Sequence, residues 1–181
     1  NSSGSARMKY SRIIGTGRCL PEKVVTNADL EKIVDTTDEW IRSRTGIERR
    51  HMAAEDETTC DLAEGAVREA MAAAEIGPDD VDMIVIGSTT PDQVFPNMGC
   101  LLQARLGIHG PPAFSLEAAC SGFIFALSVA DKYVRCGDVK TAVVVGAETL
   151  TRIIDWNDRG TCVLFGDGAG AVVIRADDEP G

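Results

Sequence analysis

Short runs of apolar, β-branched residues recur along the chain, and each ends at glycine or at small polar residues. This pattern predicts buried strands. The predicted strands cover residues 11–15, 81–88 and 143–145, with another around Phe114. The first strand is predicted to stop at a tight turn formed by Gly15-Thr16-Gly17. Residues 162–165 and 169–174 are predicted to pair as a hairpin around Gly166-Asp167-Gly168.

Amphipathic segments lie between these runs and predict helices. Thr26 or Asn27 can cap the first of these helices, and Thr37 or Asp38 can cap the second. Thr58 begins a third helix, and Pro96 and Asn97 start a fourth. The first of these helices is predicted to run to Val34. The helix after Thr58 has a stripe of leucine and alanine, so we expect it to pack closely against a sheet. The order of strands and helices predicts an α/β protein with a mixed sheet.

The stretch from residue 115 to residue 123 combines a short apolar strand with a cysteine, Cys120, that opens an almost wholly apolar helix. Residues 121–135 leave no continuous polar face, so we expect this helix to be buried on most sides. The helix dipole and the free N–H groups at its start would favour a thiolate and lower the pKa of Cys120. The local pattern leaves two interpretations open: a nucleophile, or a small buried hydrophobic residue, as most free cysteines are.

Composition narrows the classes of function. With 181 residues the chain is long enough for one domain with a sizeable core. Its net charge of −10 and its 5% of aromatic residues argue against a nucleic-acid partner. A local basic cluster, which we interpret as a solvated face, consists of Arg42, Arg44, Arg49 and Arg50.

The cysteines and histidines do not indicate a metal site. The six cysteines form no C-x-x-C pair, and His51 and His109 are the only histidines, so zinc-ligand spacing is missing. The lack of a signal peptide and of an apolar run of membrane-spanning length predicts free thiols in the reducing cytoplasm, without membrane association. Residues 1–7, before Met8, are expected to be a cloning remnant outside the fold.

Seven motifs, in order along the chain, carry a resemblance to an enzyme family. They are Ile13-Ile14-Gly15-Thr16-Gly17, Thr26-Asn27-Ala28-Asp29-Leu30, Asp38-Glu39-Trp40-Ile41, Arg44-Thr45-Gly46-Ile47, Ala118-Ala119-Cys120-Ser121-Gly122-Phe123, Gly146-Ala147-Glu148 and Phe165-Gly166-Asp167-Gly168-Ala169-Gly170-Ala171. Through them the chain resembles the N-terminal half of the β-ketoacyl-acyl carrier protein synthase III family, within the thiolase-like superfamily. The resemblance covers residues 8–181 and implies one α-β-α half of a thiolase-like fold. That half has a mixed, mostly parallel five-stranded sheet and a buried helix after the nucleophile.

The resemblance implies an acyltransferase that starts type II fatty-acid synthesis. Cys120 would take an acyl group, usually acetyl, from acyl-CoA as a thioester. Malonyl-acyl carrier protein would then lose CO2, and the resulting carbanion would attack that thioester to give 3-ketoacyl-carrier protein. A thiolate suits this role because it attacks thioesters readily, and the covalent intermediate divides one difficult step into two. Coenzyme A enters as a thioester substrate, and no cofactor is implied.

Several other positions match family residues individually. By resemblance, Trp40 stacks on the adenine of coenzyme A, with Arg159 on the opposite face of the base and Thr36 nearby. Arg44 would meet the phosphates at the mouth of the CoA site. Phe95 matches the residue that reaches into the partner subunit's acyl pocket in family dimers, which implies a homodimer. Alternatively, Phe95 is a loop aromatic residue that packs into the hydrophobic core of its own chain.

Charged residues near these motifs leave further points open. Arg49 and Arg50 either attract the acidic carrier protein or are simply solvated. Glu117 replaces the small or neutral residue expected three positions before the nucleophile. A carboxylate there would raise the cysteine pKa, so we expect the Glu117 side chain to point away from Cys120.

The length of the chain departs from the family pattern. Family members are about twice as long, and their second half supplies the His and Asn of a Cys-His-Asn triad. Neither His51 nor His109 matches that position, so we expect residues 8–181 to be an N-terminal half that cannot condense alone. Alternatives are a related starter condensing enzyme of secondary metabolism, a hydroxymethylglutaryl-CoA synthase-like enzyme, or a non-catalytic ketosynthase-like partner subunit. The presence of Cys120 counts against the last.

Overall fold

The computed structural model describes residues 9–180, so the expected remnant at residues 1–7 lies outside the described residues. Within that range the chain forms seven strands and six α-helices, with short 3-10 turns between some of them. In chain order they are β1 (Tyr10–Cys19), β2 (Val24–Thr26), α1 (Asn27–Leu30), α2 (Asp38–Thr45), β3 (Arg49–His51), α3 (Thr59–Ala73), β4 (Met83–Gly87), α4 (Met98–Leu106), β5 (Ala113–Leu116), α5 (Gly122–Cys136), β6 (Thr141–Thr149), α6 (Arg159–Cys162) and β7 (Asp167–Asp177).

Five strands form the main sheet in the order β1-β7-β6-β4-β5. Strands β5, β4 and β6 are parallel neighbours, whereas β7 is antiparallel to both β6 and β1. Four of the five strands therefore point in one direction. This is the mixed, mostly parallel sheet that the resemblance implies. Strands β2 and β3 form a separate two-stranded sheet, which the sequence did not predict.

Helices cover both faces of the main sheet because its strands are apolar on both sides. In β4, Ile84 and Ile86 pack with α3 and α4, whereas Met83 and Val85 pack with α5. Strand β6 divides in the same way along its length. The result is the α-β-α layering that the resemblance implies.

Strand β1 corrects one prediction and confirms another. Gly15-Thr16-Gly17 is not a turn, since β1 continues to Cys19 with only a bulge between Ile13 and Gly15. A Cβ atom on Gly17 would collide with the carbonyl oxygen of Ala66 in α3. The glycine is needed for the approach of a helix and not for a turn. The close packing expected from the alanine stripe of α3 is confirmed.

The predicted hairpin around Gly166-Asp167-Gly168 is wrong. Cys162 ends the short helix α6, and β7 runs unbroken from Asp167, paired with β1 and β6. The reason lies in the side chain of Asp167, which is only 5% exposed. Its carboxylate accepts hydrogen bonds from the N–H of Ala53 (2.8 Å) and from the N–H and hydroxyl of Thr151 (2.9 and 2.6 Å). These bonds fix residue 167 as the start of a strand.

The helix caps follow the sequence closely. Thr26, Thr37, Thr58 and Asn97 each cap the helix that follows, and each side chain accepts a hydrogen bond from a backbone N–H two or three residues into it. The first helix, α1, ends at Leu30 and not at Val34.

Helix α5 is less buried than predicted. Its buried residues form one stripe, which consists of Gly122, Ala126, Ala130 and Val134. On the other side Ile124, Phe125 and Tyr133 are 61%, 54% and 40% exposed. Among the described elements α5 packs mainly against strands of the main sheet, and its other side shows apolar residues to solvent.

Candidate active site

Cys120 lies at the carboxyl end of the parallel strands. A 3-10 turn, Ala119–Ser121, connects β5 to α5, and Gly122 is the first residue of α5. The backbone of Gly122 packs directly on Gly87 at the end of β4, where an added Cβ would lie 2.5 Å from the Gly122 carbonyl carbon. Ligands of open α/β sheets bind at this edge. The predicted position of Cys120 at the head of a helix is confirmed.

The residue before Cys120 has a strained backbone. Ala119 has φ = 45°, in the left-handed region that residues other than glycine rarely adopt. This conformation costs roughly 1–2 kcal/mol for a residue with a Cβ atom. Such strain is concentrated at functional sites, where it fixes the direction of a side chain. The turn at Ala119 sets the orientation of Cys120.

Cys120 is exposed in this chain, as are its neighbours on the outer face of α5. The start of α5 is therefore exposed, whereas the sequence predicted that it would be buried. Beside it, on the α5 side of the sheet, an open apolar depression is lined by Thr16, Gly17, Phe123, Gly146, Gly170, Ala171 and Val172. The nucleophile candidate faces a surface that the described residues leave uncovered.

Neither histidine is hydrogen-bonded to Cys120 in the part of the chain that the structure describes. His51 lies in β3, and its Nδ1 donates to the carbonyl oxygen of Pro21 (2.6 Å). His109 follows α4, between Gly107 and Gly110. A general base for Cys120 does not come from these histidines.

A second cluster brings Trp40, Arg44 and Arg159 together. Trp40 and Arg44 stand one turn apart on α2, and the Arg44 guanidinium carbon lies 4.5 Å from the centre of the Trp40 ring. The Arg159 guanidinium carbon, from α6, lies 5.6 Å from the same centre. Both distances are typical of cation–π contacts. Arg44 and Arg159, which the resemblance assigns to the coenzyme A site together with Trp40, therefore lie next to Trp40 in the structure.

Arg159 is hydrogen-bonded to the residue that precedes Thr36. Its Nη1 donates to the carbonyl oxygen of Asp35 (3.0 Å), the residue before Thr36. The hydroxyl of Thr36 is buried and has no hydrogen-bond partner among the described residues. The four residues that the resemblance assigns to coenzyme A thus belong to one surface region.

Comparison with known proteins gives one consistent result. The family model described as 3-oxoacyl-[acyl-carrier-protein (ACP)] synthase III matches residues 114–181, which include Cys120. A β-ketoacyl-[acyl-carrier-protein] synthase III of Xanthomonas campestris is 67% identical over 172 residues, which is 95% of this chain and 53% of the relative. The corresponding protein of Thioalkalivibrio sulfidiphilus is 62% identical over 174 residues, with 96% and 54% covered.

Solved structures agree. The 3-oxoacyl-[acyl-carrier-protein] synthase III of Aquifex aeolicus superposes with a TM-score of 0.91 at 50% identity, over 93% of this chain and 55% of that protein. The chain matches the N-terminal half of β-ketoacyl-acyl carrier protein synthase III proteins. It spans about half the length of the curated relatives it matches and corresponds to their N-terminal half. The priming β-ketosynthase of the R1128 polyketide pathway superposes with a TM-score of 0.94 at 36% identity, over 100% of this chain and 54% of that protein.

Phe95 projects from the loop between β4 and α4. It is 86% exposed, and the adjacent Val94 is 91% exposed. The alternative that Phe95 closes its own core is therefore wrong. The base of the loop is fixed by Glu148, whose carboxylate accepts hydrogen bonds from the N–H of Thr89 (2.8 Å) and the hydroxyl of Thr90 (2.5 Å).

Sequence reasoning missed the polar groups that support the candidate site. Glu148 and Asp167 were noted only as parts of motifs, yet their carboxylates hold the loops around the sheet edge. Asp92 caps α3 by accepting from the N–H groups of Thr59 (2.9 Å) and Cys60 (3.2 Å). An acidic residue between two predicted elements was the only available signal.

The basic cluster is not one face. Arg49 is exposed, but Arg50 is only 6% exposed, so the interpretation of Arg50 as a solvated or carrier-protein-binding residue is wrong. The reason is the alternation of side chains along β3, which turns Arg50 inward. Glu117 is exposed.

Over residues 9–180, no group of three or more His, Cys, Asp or Glu side chains is arranged to hold a metal ion. No helix in the same range combines the length and the apolar character needed to cross a membrane.

Proposed function

We propose that this chain is the nucleophile-bearing half of a β-ketoacyl-acyl carrier protein synthase III. Cys120 accepts an acyl group, usually acetyl, from acyl-CoA, and the acyl-enzyme condenses with malonyl-acyl carrier protein. The observation that carries the proposal is the position of Cys120, in a strained turn at the head of α5 and at the carboxyl edge of parallel strands. The match to β-ketoacyl-acyl carrier protein synthase III proteins supports the same reaction.

The proposed reaction has two stages. In the first, the Cys120 thiolate attacks the thioester carbonyl of acyl-CoA, and coenzyme A leaves as its thiolate and takes up a proton. In the second, malonyl-acyl carrier protein loses CO2, and its carbanion attacks the Cys120 thioester, which releases the cysteine thiolate and 3-ketoacyl-carrier protein. The backbone N–H of Cys120 donates to the oxyanion that forms in each attack. The helix dipole at the start of α5 favours that oxyanion.

The Trp40 cluster is the proposed binding site for the nucleotide of coenzyme A. The adenine lies between the Trp40 indole and the Arg159 guanidinium, since a flat ring and a planar cation both stack on a base. Arg44 pairs with the phosphates, and Thr36, whose hydroxyl is buried, lies beside the site. The Arg159 side chain is 53% exposed, so it can move outward to admit the base.

We propose that condensation needs a second half. That half would cover the apolar face of α5 and the depression beside it, and it would supply the His and Asn of the triad and a further oxyanion donor. The uncovered face with Ile124 and Phe125 supports this, because contiguous apolar surface of this kind is rarely left in water. The exposed Phe95 supports a homodimer in which it enters the partner's acyl pocket.

Intact-mass spectrometry tests the proposal. The chain is incubated with acetyl-CoA, alone and together with the remainder of the synthase, and 3-ketoacyl product is measured after malonyl-acyl carrier protein is added. The proposal predicts slow acetylation of the chain at most, and condensation only in the complete protein. Full condensation by a monomer of this chain alone would contradict it.

One alternative has its own support. The superposition with the R1128 priming ketosynthase over the whole of this chain favours a starter condensing enzyme of secondary metabolism as the second candidate. A panel of acyl-CoA donors distinguishes the two. Preference for acetyl-CoA supports the first candidate, and preference for a longer starter supports the second.

A further inference from the structure

Arg50 is a buried cation in an unusual setting. It lies in β3 and is 6% exposed, and in the described part of the chain it pairs with no carboxylate. Its Nη1 donates to the Asn27 side-chain oxygen (2.9 Å), and its Nη2 donates to the carbonyl oxygen of Val163 (3.1 Å). Burial lowers the pKa of Arg50, although a guanidinium remains charged in proteins. Charge without an ionic partner is a poor way to stabilise a core.

Asn27 continues these contacts toward α2. It is the first residue of α1 and is 1% exposed. Its side-chain nitrogen donates to Asp38 Oδ1 (2.8 Å) and to the carbonyl oxygen of Ile47 (2.7 Å). Asp38 begins α2, and Ile47 follows its end. One amide therefore holds both ends of the helix that carries Trp40 and Arg44.

Val163 connects the same contacts to α6. It directly follows Cys162, the last residue of α6, and α6 begins with Arg159. Arg50 therefore lies between the two elements that carry the opposing sides of the Trp40 cluster. A methionine would fill the same space without the cost of burying a charge. What the guanidinium adds is a rigid set of donors. One is aimed at Asn27, which in turn bonds to both ends of α2, and one at Val163, which follows α6.

We propose that Arg50 and Asn27 are positioning residues that set the separation between Trp40 and Arg159, and so the fit of the adenine of coenzyme A. This inference rests on the proposed function. It assigns the two buried residues a part in recognition of the nucleotide but none in the chemistry at Cys120. Their loss should therefore affect only donors that carry the nucleotide.

The test compares two acetyl donors in the complete synthase. Acetyl-CoA carries the nucleotide, and acetyl-pantetheine lacks it. For Arg50→Met and Asn27→Ser, kcat/KM of Cys120 acylation by acetyl-CoA is expected to fall by about tenfold or more, mainly through KM. With acetyl-pantetheine the change is expected to stay within about twofold. Lys23→Met, which removes an exposed cation next to β2, is the control and should change neither rate.

Other results separate failure of the inference from failure of the proposed function. Equal losses with both donors, or no loss with either, would overturn the positioning role. A wild-type protein that neither donor acylates would overturn the proposed function instead. If Arg50→Met does not fold by circular dichroism, Asn27→Ser decides, and calorimetric binding of adenosine 3′,5′-bisphosphate must weaken by the same factor.

Discussion

The guanidinium carbon of Arg159 lies 5.6 Å from the centre of the Trp40 ring, although the two residues come from opposite parts of the chain. A base stacked between two planes needs about 7 Å, since each contact takes about 3.5 Å. If adenine binds between Trp40 and Arg159 as proposed, Arg159 must move outward by about 1–2 Å. Its hydrogen bond to the Asp35 carbonyl is the contact that this movement strains.

Replacement of Trp40 should separate stacking from folding. Trp40→Ala is expected to lower kcat/KM for acetyl-CoA roughly tenfold, because stacking of a base on an aromatic ring contributes about 1–3 kcal/mol. Trp40→Phe keeps a ring and should retain most of the activity. Steady-state kinetics with acetyl-CoA and acetyl-pantetheine measure both effects. A Trp40→Ala protein that loses as much activity with acetyl-pantetheine would remove the stacking role.

Gly17 in β1 should not tolerate a side chain. Gly17→Ala places a methyl group against the Ala66 carbonyl of α3, and overpacking of this kind costs about 1–3 kcal/mol in the free energy of unfolding. Gly77→Ala is the matched control, since its Cβ would meet only Asp80 Oδ2 at 3.8 Å. Urea denaturation of both variants gives the comparison. Equal midpoints would show that α3 does not approach β1 this closely.

The turn before the nucleophile should accept glycine but not valine. Ala119→Gly relieves the strain of a positive φ and loses chain entropy on folding, so the unfolding free energy should stay within about 1 kcal/mol of the wild type. Ala119→Val puts a β-branched residue at the same φ and should lower both stability and the rate of Cys120 acylation. Thermal denaturation and acylation kinetics check this. Equal behaviour of the two variants would refute the strained turn.

The buried thiol of Cys60 should make stability fall at high pH. Burial raises the pKa of Cys60 from its ordinary value of 9.0 to about 11. In the unfolded chain the thiol loses its proton near pH 9, whereas the folded protein keeps it bound. Unfolding therefore releases a proton between pH 9 and 11, and the free energy of unfolding should decrease across that window.

The matching measurement is urea denaturation at a series of pH values. Cys60→Ala should have a shallower decline than the wild type, because the titrating group is gone. Cys136→Ala, which removes an exposed thiol, should keep the wild-type slope. A Cys60→Ala curve parallel to the wild type would show that this thiol is not responsible.

Local signals along the chain were enough to locate most elements. Thr58 and Asn97 stand at the starts of helices as predicted, and each caps its helix, because capping depends on residues within one turn. Gly15 was misinterpreted because a glycine looks the same in sequence whether it makes a turn or admits a helix. The hairpin failed for a similar reason, since the partners of Asp167 are distant in sequence.

The candidate site was predictable only where a family motif names its residues. The motif around Cys120 placed it correctly at a helix start, but the exposure of α5 depends on tertiary packing, which a local motif does not encode. Charge patterning could not separate Arg49 from Arg50, since the two differ only in which side of β3 they occupy. The support given by Asn27 and Arg50 joins four segments, which a linear pattern cannot show.

The central claim is that Cys120 is the sulfur that carries the acyl group. Peptide mass spectrometry of the complete synthase, quenched with acid after acetyl-CoA is added, tests it most directly. We predict one acetyl group on the peptide that contains Cys120, lost in Cys120→Ser and retained in Cys136→Ser, where the other exposed cysteine is replaced. An acetyl group on a different residue, or undiminished labelling of Cys120→Ser, would contradict the account.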